Sequence, residues 1–244
     1  MDQRPILVVA VGVEPRGPRS VDPLGAHRGR RTGPVRPEQA QVGQQKIEDG
    51  RRNRDFDSSQ EDRESNVDTS RGLAFQASKI VGTRHHLTYG IDHYADEVES
   101  SRTRTDFVTG ATSDRAPRFP DGSTMSQAGA FVADDWSVGE RLDVLGGARW
   151  NMSRTRLPAS GEFAATTVED DAFTGNLGVA CAVTPSVRLV ANVGQGFRAP
   201  NVFDLGTFGD RPGNRFNVPN PDLEPEEVTT FDAGWKVRND QLQG

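Results

Sequence analysis

Three histidines and one pair of acids are the side chains whose types and spacing could do chemistry. His85, His86 and His93 carry imidazoles, which are common transition-metal ligands. On one β-strand, His85 and His93 would share a face but lie about 27 Å apart at roughly 3.4 Å per residue, with His86 on the opposite face. The adjacent carboxylates of Asp134 and Asp135 would also point to opposite faces and could not act as an acid–base pair. We therefore predict no metal site and no acid–base centre.

Other catalytic signatures are missing from the sequence. It contains no nucleophile elbow, no phosphate-binding loop and no locally supported histidine–carboxylate–serine arrangement. Cys181 is the single cysteine, which excludes an intramolecular disulfide and a cysteine-based zinc site. The net charge is −6, which disfavours a general nucleic-acid surface. We predict a protein that is not an enzyme, holds no cofactor and binds no nucleic acid.

The elements that must position these side chains are short segments of alternating apolar and polar residues. In 86–95, for example, Leu87, Tyr89 and Ile91 alternate with Thr88 and Gly90. Such a period of two is typical of a β-strand. Similar segments, some of them weaker, lie around 71–81, 126–137, 141–150, 172–183, 187–193 and 231–237. About seven strands and no sustained helical period predict an all-β fold.

The connections between these segments alternate in length. Short turns at 82–85, 138–140 and 184–186 alternate with long polar stretches at roughly 99–125, 154–171 and 197–227. This is the pattern of an antiparallel up-and-down transmembrane β-barrel. No apolar run approaches the roughly 20 residues of a transmembrane helix, so a membrane-embedded form must be a barrel. One face is predicted to line a wet lumen, because it carries Asp92, Asp143, Arg149, Arg188, Asp232 and Lys236. Alternation alone fits a soluble β-sheet protein with one solvated face equally well.

The N-terminal part of the chain differs from the rest in composition and periodicity. Residues 14–45 are rich in Arg, Pro, Gly and Gln and show neither strand nor helix periodicity. We predict that 1–45 is disordered or translated out of frame, and that 46–244 is the folded, partial barrel. Residues 6–13 imitate the apolar part of a signal peptide, but no small-x-small cleavage site follows them.

Two sequence boxes resemble those of a known family. They are GFRAPN at 196–201 and NPDLEPE at 220–226, and three shorter matches precede them in order, at 87–90, 131–136 and 147–150. Together these motifs resemble the TonB-dependent receptor family over about residues 60–240. Because the prolines end strands and stiffen the connection, we expect both boxes to shape a loop rather than touch a ligand. The box residues are Gly196, Phe197, Arg198, Ala199, Pro200, Asn201, Asn220, Pro221, Asp222, Leu223, Pro225 and Glu226.

The resemblance implies transport across the outer membrane. Receptors of this family import ferric siderophores, haem or cobalamin through a plugged barrel of about 22 strands. The implied partners are outer-membrane lipid, a small iron chelate and, through the intact parent receptor, the TonB–ExbB–ExbD complex. The sequence departs from the family because no plug-like region precedes residue 60 and neither a TonB box nor a terminal aromatic residue is found. We therefore interpret the chain as a fragment of a receptor barrel.

The connection between the two boxes bears on the ligand. Residues 201–219 contain no histidine, which makes haem a less favoured ligand than a ferric siderophore. The same stretch offers Phe208, Arg211, Arg215 and Phe216, which suit an anionic, aromatic ferric chelate, although a solvated loop explains them too. Two alternatives stay open. One is a self-closing barrel of about eight strands acting as an anchor or passive pore, for which 46–60 is a poor candidate strand. The other is a soluble β-rich binding protein.

Overall fold

The computed structural model describes residues 36–160, 164–211 and 215–237. These residues form eleven strands and one helical turn. The elements are β1 (Arg36–Asn53), β2 (Gln60–Val81), β3 (His85–Asp106), β4 (Thr112–Arg115), β5 (Ser123–Ser137), β6 (Leu142–Leu157), β7 (Thr166–Ala182), β8 (Val187–Arg198), α1 (Val202–Gly206), β9 (Gly209–Arg211), β10 (Arg215–Asn217) and β11 (Glu226–Val237).

The main sheet follows chain order. Its path is β1-β2-β3-β5-β6-β7-β8-β11, every pairing is antiparallel, and β4 adds to β3 beside this path. Strands β9 and β10 form a separate hairpin. The predicted all-β, up-and-down architecture is confirmed. Within the described residues β1 and β11 do not pair with each other, so the sheet is an open part of a barrel wall.

Turn lengths alternate as the sequence predicts. Short connections at 82–84, 138–141 and 183–186 join β2 to β3, β5 to β6 and β7 to β8. The strands run further than the apolar alternation indicates, because β3 continues to Asp106 and β6 to Leu157. Their outer halves carry polar residues on both faces, and ladder hydrogen bonds hold them without an apolar stripe. At these ends the sequence-based boundaries were therefore too short.

Strand β1 corrects two predictions. Residues 36–45 were expected to lack regular structure and 46–60 to be a poor strand candidate, yet β1 runs from Arg36 to Asn53 across the predicted boundary at residue 46. Residues 1–35 lie outside the described residues. β1 pairs with β2 from Arg36↔Ser78 to Asn53↔Asp62, with one register shift between Pro37 and Gln39. This ladder joins residues distant in sequence, and an alternation-based reading does not detect it.

One face of the sheet is apolar and exposed. The register aligns a row of apolar side chains across six strands: Ala40, Phe75, Ile91, Ala130, Trp150 and Phe173. The large members of this row are exposed, with Phe173 at 72%. Rows nearer the short turns add Tyr89, Val132 and Trp136 to the same face. We call this surface the apolar face. No helix in the described part of the chain is long and apolar enough to cross a membrane.

The opposite surface, the polar face, carries ion pairs. Arg149 donates from Nη2 to Asp92 Oδ1 at 2.6 Å, and Arg188 Nη1 lies 3.2 Å from Asp143 Oδ2. By the register, these four residues share a face with Asp232 and Lys236, as predicted. Charged side chains are rarely left in a dry core, and this face therefore suits a hydrated lumen.

Candidate functional site

The two sequence boxes meet at the long-loop end of β8 and β11. Arg198 is the last residue of β8, Glu226 is the first of β11, and the two are register partners. Arg198 donates from Nε and Nη2 to the two Glu226 oxygens at 3.0 and 2.7 Å, and from Nη1 to Asp204 Oδ2 at 2.7 Å. The planar guanidinium fits such a two-point contact, which an ammonium cannot reproduce. One arginine thus joins both boxes to the loop between them.

A capping box organises the start of that loop. Asn201 is the N-cap of α1; its Oδ1 accepts from Asp204 N at 3.0 Å, while Asp204 Oδ2 accepts from Asn201 N at 3.2 Å. This reciprocal pair satisfies two otherwise free backbone donors. Asp204 therefore both caps the helix and binds Arg198. The spacing Asn-x-x-Asp is readable in the sequence, but the sequence analysis did not use it.

The connection of residues 199–225 is here called the rim loop, and its described residues around α1 pack on the polar face. Leu205 and Leu157 have no exposed surface, and Val202 and Met125 are 7% exposed in the same cluster. Ala199 is buried, and Thr155 Oγ1 donates to the Pro200 carbonyl at 3.5 Å. Burying these apolar side chains on strands that otherwise carry polar groups stabilises the folded-in loop.

The second box completes the loop. Asn220 N donates to the Leu205 carbonyl at 2.9 Å, and Asp222 N donates to Asn220 Oδ1 at 3.3 Å. Leu223 is 37% exposed, so the box is a surface turn rather than part of the core. These contacts agree with the expectation that both boxes shape a loop, and they do not test whether any box residue also binds a ligand.

A cleft of about 280 Å³ lies between the boxes. It is lined by Arg198, Pro200, Phe203, Asp204, Asn217, Leu223, Glu224 and Glu226. The sequence analysis did not select Phe203, Asp204, Asn217 or Glu224 as site residues, because only the folding of the rim loop brings them together. Formal charges give the lining a net negative charge, with three carboxylates against one guanidinium.

Electrostatics hold the arginine and its partner ionised. The hydrogen bonds and charge of Arg198 lower the pKa of Glu226, and those of Glu226 and Asp204 raise the pKa of Arg198 further above its ordinary value. Elsewhere at the long-loop end, hydrogen bonds from Arg104 and Arg102 outweigh burial and hold the pKa of Asp62 at about 2. Both groups of charges stay paired at neutral pH.

The predicted ligand residues lie beyond α1. Phe208 and Phe216 form an edge-to-face pair with ring centroids 5.1 Å apart, and Phe208 N donates to the Arg118 carbonyl at 3.0 Å. Arg211 and Arg215 are register partners in the β9–β10 hairpin. The backbone therefore brings all four candidates to one hairpin, but the side chains of the two arginines lie outside the described residues.

The histidines are distributed as the strand geometry predicts. His85 pairs with Trp136 and His93 with Ala128, both on the apolar face, whereas His86 is on the polar face. His85 Nδ1 lies 2.6 Å from Asp134 Oδ2. Among the described residues no group of three or more His, Cys, Asp or Glu side chains could hold a metal ion.

Sequence comparison identifies the family. The profile described as "TonB dependent receptor-like, beta-barrel" matches residues 25–244, nearly the whole chain. The chain belongs to this TonB-dependent receptor family. No curated protein matches the sequence significantly.

Solved structures with this fold are larger receptors of the same kind. The copper transporter OprC aligns with a TM-score of 0.69 at 19% identity, covering 84% of this chain and 34% of OprC. The ferric citrate transporter FecA gives 0.57 at 15%, covering 81% and 29%. The Serratia marcescens hemophore receptor HasR, solved with its hemophore HasA and heme, gives 0.52 at 18%, covering 83% and 37%. The chain spans about a third of the length of these receptors.

Family membership indicates what surrounds each of the two faces of the sheet. In an outer-membrane barrel the apolar band faces lipid and the polar residues face the lumen. The rim loop, which packs on the polar face, therefore corresponds to a loop folded into the mouth of the barrel. Members of the family are transporters rather than enzymes, and the solved relatives carry different cargoes. The fold alone does not select among those cargoes.

Proposed function

We propose that this chain forms part of the barrel wall of an outer-membrane transporter that takes up a ferric siderophore or a similar scarce metal chelate. The single observation that carries the proposal is that one face of the sheet is apolar and the other is polar. A row of exposed apolar side chains crosses six strands on one face, while ion pairs and the rim loop occupy the other. A soluble protein would not leave this much contiguous apolar surface exposed to water.

The alternative of a small closed barrel has less support. The main sheet path does contain eight strands, but β1 and β11 are its ends and are not joined within the described residues. The interior of a closed eight-stranded barrel is just wide enough for the side chains of its own strands. Here a folded loop also lies on the polar face and would need additional room. A larger barrel accommodates that loop.

The aromatic pair of the rim loop, rather than its cleft, supports the ligand proposal. The cleft lining carries three carboxylates against one arginine and does not favour an anion, whereas the Phe208–Phe216 pair lies farther along the same loop, beside the β9–β10 hairpin. We infer that Phe208, Phe216, Arg211 and Arg215 contact an anionic, aromatic ferric chelate. Haem is less favoured, because residues 201–219 contain no histidine to ligate its iron.

The test is uptake of radioactive iron by a bacterial strain that lacks its own siderophore receptors and expresses the full coding sequence containing this chain. We expect the protein in the outer-membrane fraction and TonB-dependent uptake of at least one ferric chelate from a panel with different siderophore classes and haem. Replacing both Arg211 and Arg215 with glutamine should raise the half-saturating chelate concentration. Arg188→Gln, on the polar face near the short-turn end, is the matched control.

Three results would count against the proposal. Recovery of the protein in the soluble fraction would contradict the membrane location. Uptake that is equal with and without TonB would contradict active transport. Uptake of haem alone would contradict the siderophore assignment.

A further inference from the structure

Two charged side chains interrupt the apolar face close to the short turns. Lys79 on β2 and Asp134 on β5 are both register partners of Leu87 on β3, so the three form one row. Neighbouring strands are about 4.8 Å apart, which places the Lys79 and Asp134 backbones about 10 Å from each other. No ion pair joins them in the described part of the chain, where the side-chain partner of Asp134 is His85. Charges that face lipid are costly unless a partner is supplied.

The Asp134 carboxylate is only partly satisfied. Its Oδ2 lies 2.6 Å from His85 Nδ1, whereas Oδ1 has no hydrogen-bond partner among the described residues. Oδ1 is itself buried, so the exposed 31% of the side chain lies on its other atoms, and a donor from outside the sheet can approach only Oδ2, which can accept a second hydrogen bond. Its register partner on β6, Gly146, has nothing within 4 Å of the position a Cβ would take.

An aromatic stack marks the depth of this site. His85 and Trp136 stack with ring centroids 5.4 Å apart and planes at 11°, one row nearer the turns than Asp134. Aromatic girdles in outer-membrane barrels lie at the level of the lipid head groups. Lys79 and Asp134 are thus at the depth where a head group, rather than an acyl chain, meets the protein.

We propose that Lys79 and Asp134 bind the head group of a zwitterionic aminophospholipid, of the phosphatidylethanolamine class, in the leaflet at the short-turn end. The Lys79 ammonium pairs with the lipid phosphate. The primary ammonium of the lipid donates to Asp134, and Leu87 lies beneath the ethanolamine carbons. A choline head group has no N–H donor for Asp134, and a glycerol head group has no cation. This inference rests on the proposed membrane location.

The experiment uses the protein made from the full coding sequence that contains this chain, inserted into vesicles of phosphatidylglycerol with equal amounts of phosphatidylethanolamine and phosphatidylcholine of the same acyl chains. Insertion is measured first, by protease protection and by the change in gel mobility on heating. The lipids retained after mild detergent extraction are then quantified by mass spectrometry. A charge-assisted hydrogen bond predicts about tenfold retention of the ethanolamine over the choline lipid.

Matched variants locate the preference. Asp134→Asn should reduce the ratio of ethanolamine to choline lipid severalfold, whereas Lys79→Gln should reduce the amount of both lipids retained, because both carry the phosphate. Asp135→Asn changes the neighbouring carboxylate on the polar face, and Lys46→Gln changes a lysine already paired with Glu48 at 2.8 Å; both should keep the wild-type ratio. If a variant fails to insert, the ratio of ethanolamine to choline lipid retained by the wild-type protein still tests the head-group site.

The outcomes separate this inference from the proposed function. If the full receptor that contains this chain does not insert, both are overturned. An inserted chain that retains the ethanolamine and choline lipids equally overturns only the head-group site. Retention of phosphatidylglycerol as strong as that of the ethanolamine lipid also overturns it, because a bare phosphate contact with Lys79 would then explain binding.

Discussion

Replacing Leu205 with alanine should release the rim loop from the polar face while leaving the sheet intact. Leu205 has no exposed surface and packs in one cluster with Leu157, Val202 and Met125. It also lies between two backbone hydrogen bonds that hold the loop, one from its own amide to the Asn201 carbonyl at 3.0 Å and one from Asn220 N to its carbonyl at 2.9 Å. The truncation therefore acts where both boxes meet.

The expected magnitude follows from the burial. A fully buried Leu→Ala change costs about 2–5 kcal/mol, depending on how well the neighbours collapse into the cavity. The polypeptide connects the loop to the strands only at the two ends of the loop. We therefore expect this loss of packing to favour local opening of the loop rather than unfolding of the whole sheet. At about 1.4 kcal/mol per factor of ten, the open population rises by roughly 30-fold to several thousand-fold.

Amide hydrogen exchange measures that population. In the variant, the amides of Asn220 and Phe208 should exchange faster by this factor, while those of the β5–β6 ladder change by less than about threefold. Leu223→Ala is the matched control, because the same truncation at a side chain that is 37% exposed removes little packing. Unchanged exchange at Asn220 and Phe208 would refute the reasoning. Equal acceleration in the β5–β6 ladder would show that the cluster stabilises the whole sheet instead.

Three further outcomes are expected. Arg198→Lys should make the rim loop more sensitive to added protease than Arg188→Lys does, because, of these two arginines, Arg198 alone makes a two-point contact with a carboxylate among the described residues. Gly90→Ala should lower the unfolding midpoint, measured by heat-dependent gel mobility, since a Cβ there would lie 2.5 Å from the Phe75 carbonyl oxygen; Gly146→Ala, with open space, should not. Because the pKa of Asp62 is lowered, its stabilising contribution is present above pH about 4 and is lost as pH falls towards 2. Asp62→Asn should therefore lower the unfolding midpoint at pH 6 and lower it much less at pH 2.

Much of the fold was readable in the sequence because strand geometry is local. Leu87, Tyr89 and Ile91 alternate with polar residues, and that period of two alone gives the strand and its apolar side. The short turns were equally readable, since they interrupt the alternation abruptly. Strand β1 was missed because its stability comes from pairing with β2 rather than from its own composition. The one-turn helix α1 was missed because its capping box is a pattern of two residues within a polar stretch.

The sequence by itself determined the family, the all-β architecture and the face on which the residues of the clearly alternating segments lie, because these depend on motif order and on alternation within single segments. Only the tertiary structure decided how the two boxes act. Arg198 and Glu226 are 28 residues apart, and their contact exists because β8 pairs with β11 in one particular register. The same holds for the row of Lys79, Leu87 and Asp134, which lie on three strands and meet only through the ladder. Register joins distant residues through backbone hydrogen bonds, and its choice depends on the burial of a whole face rather than on any local stretch of sequence.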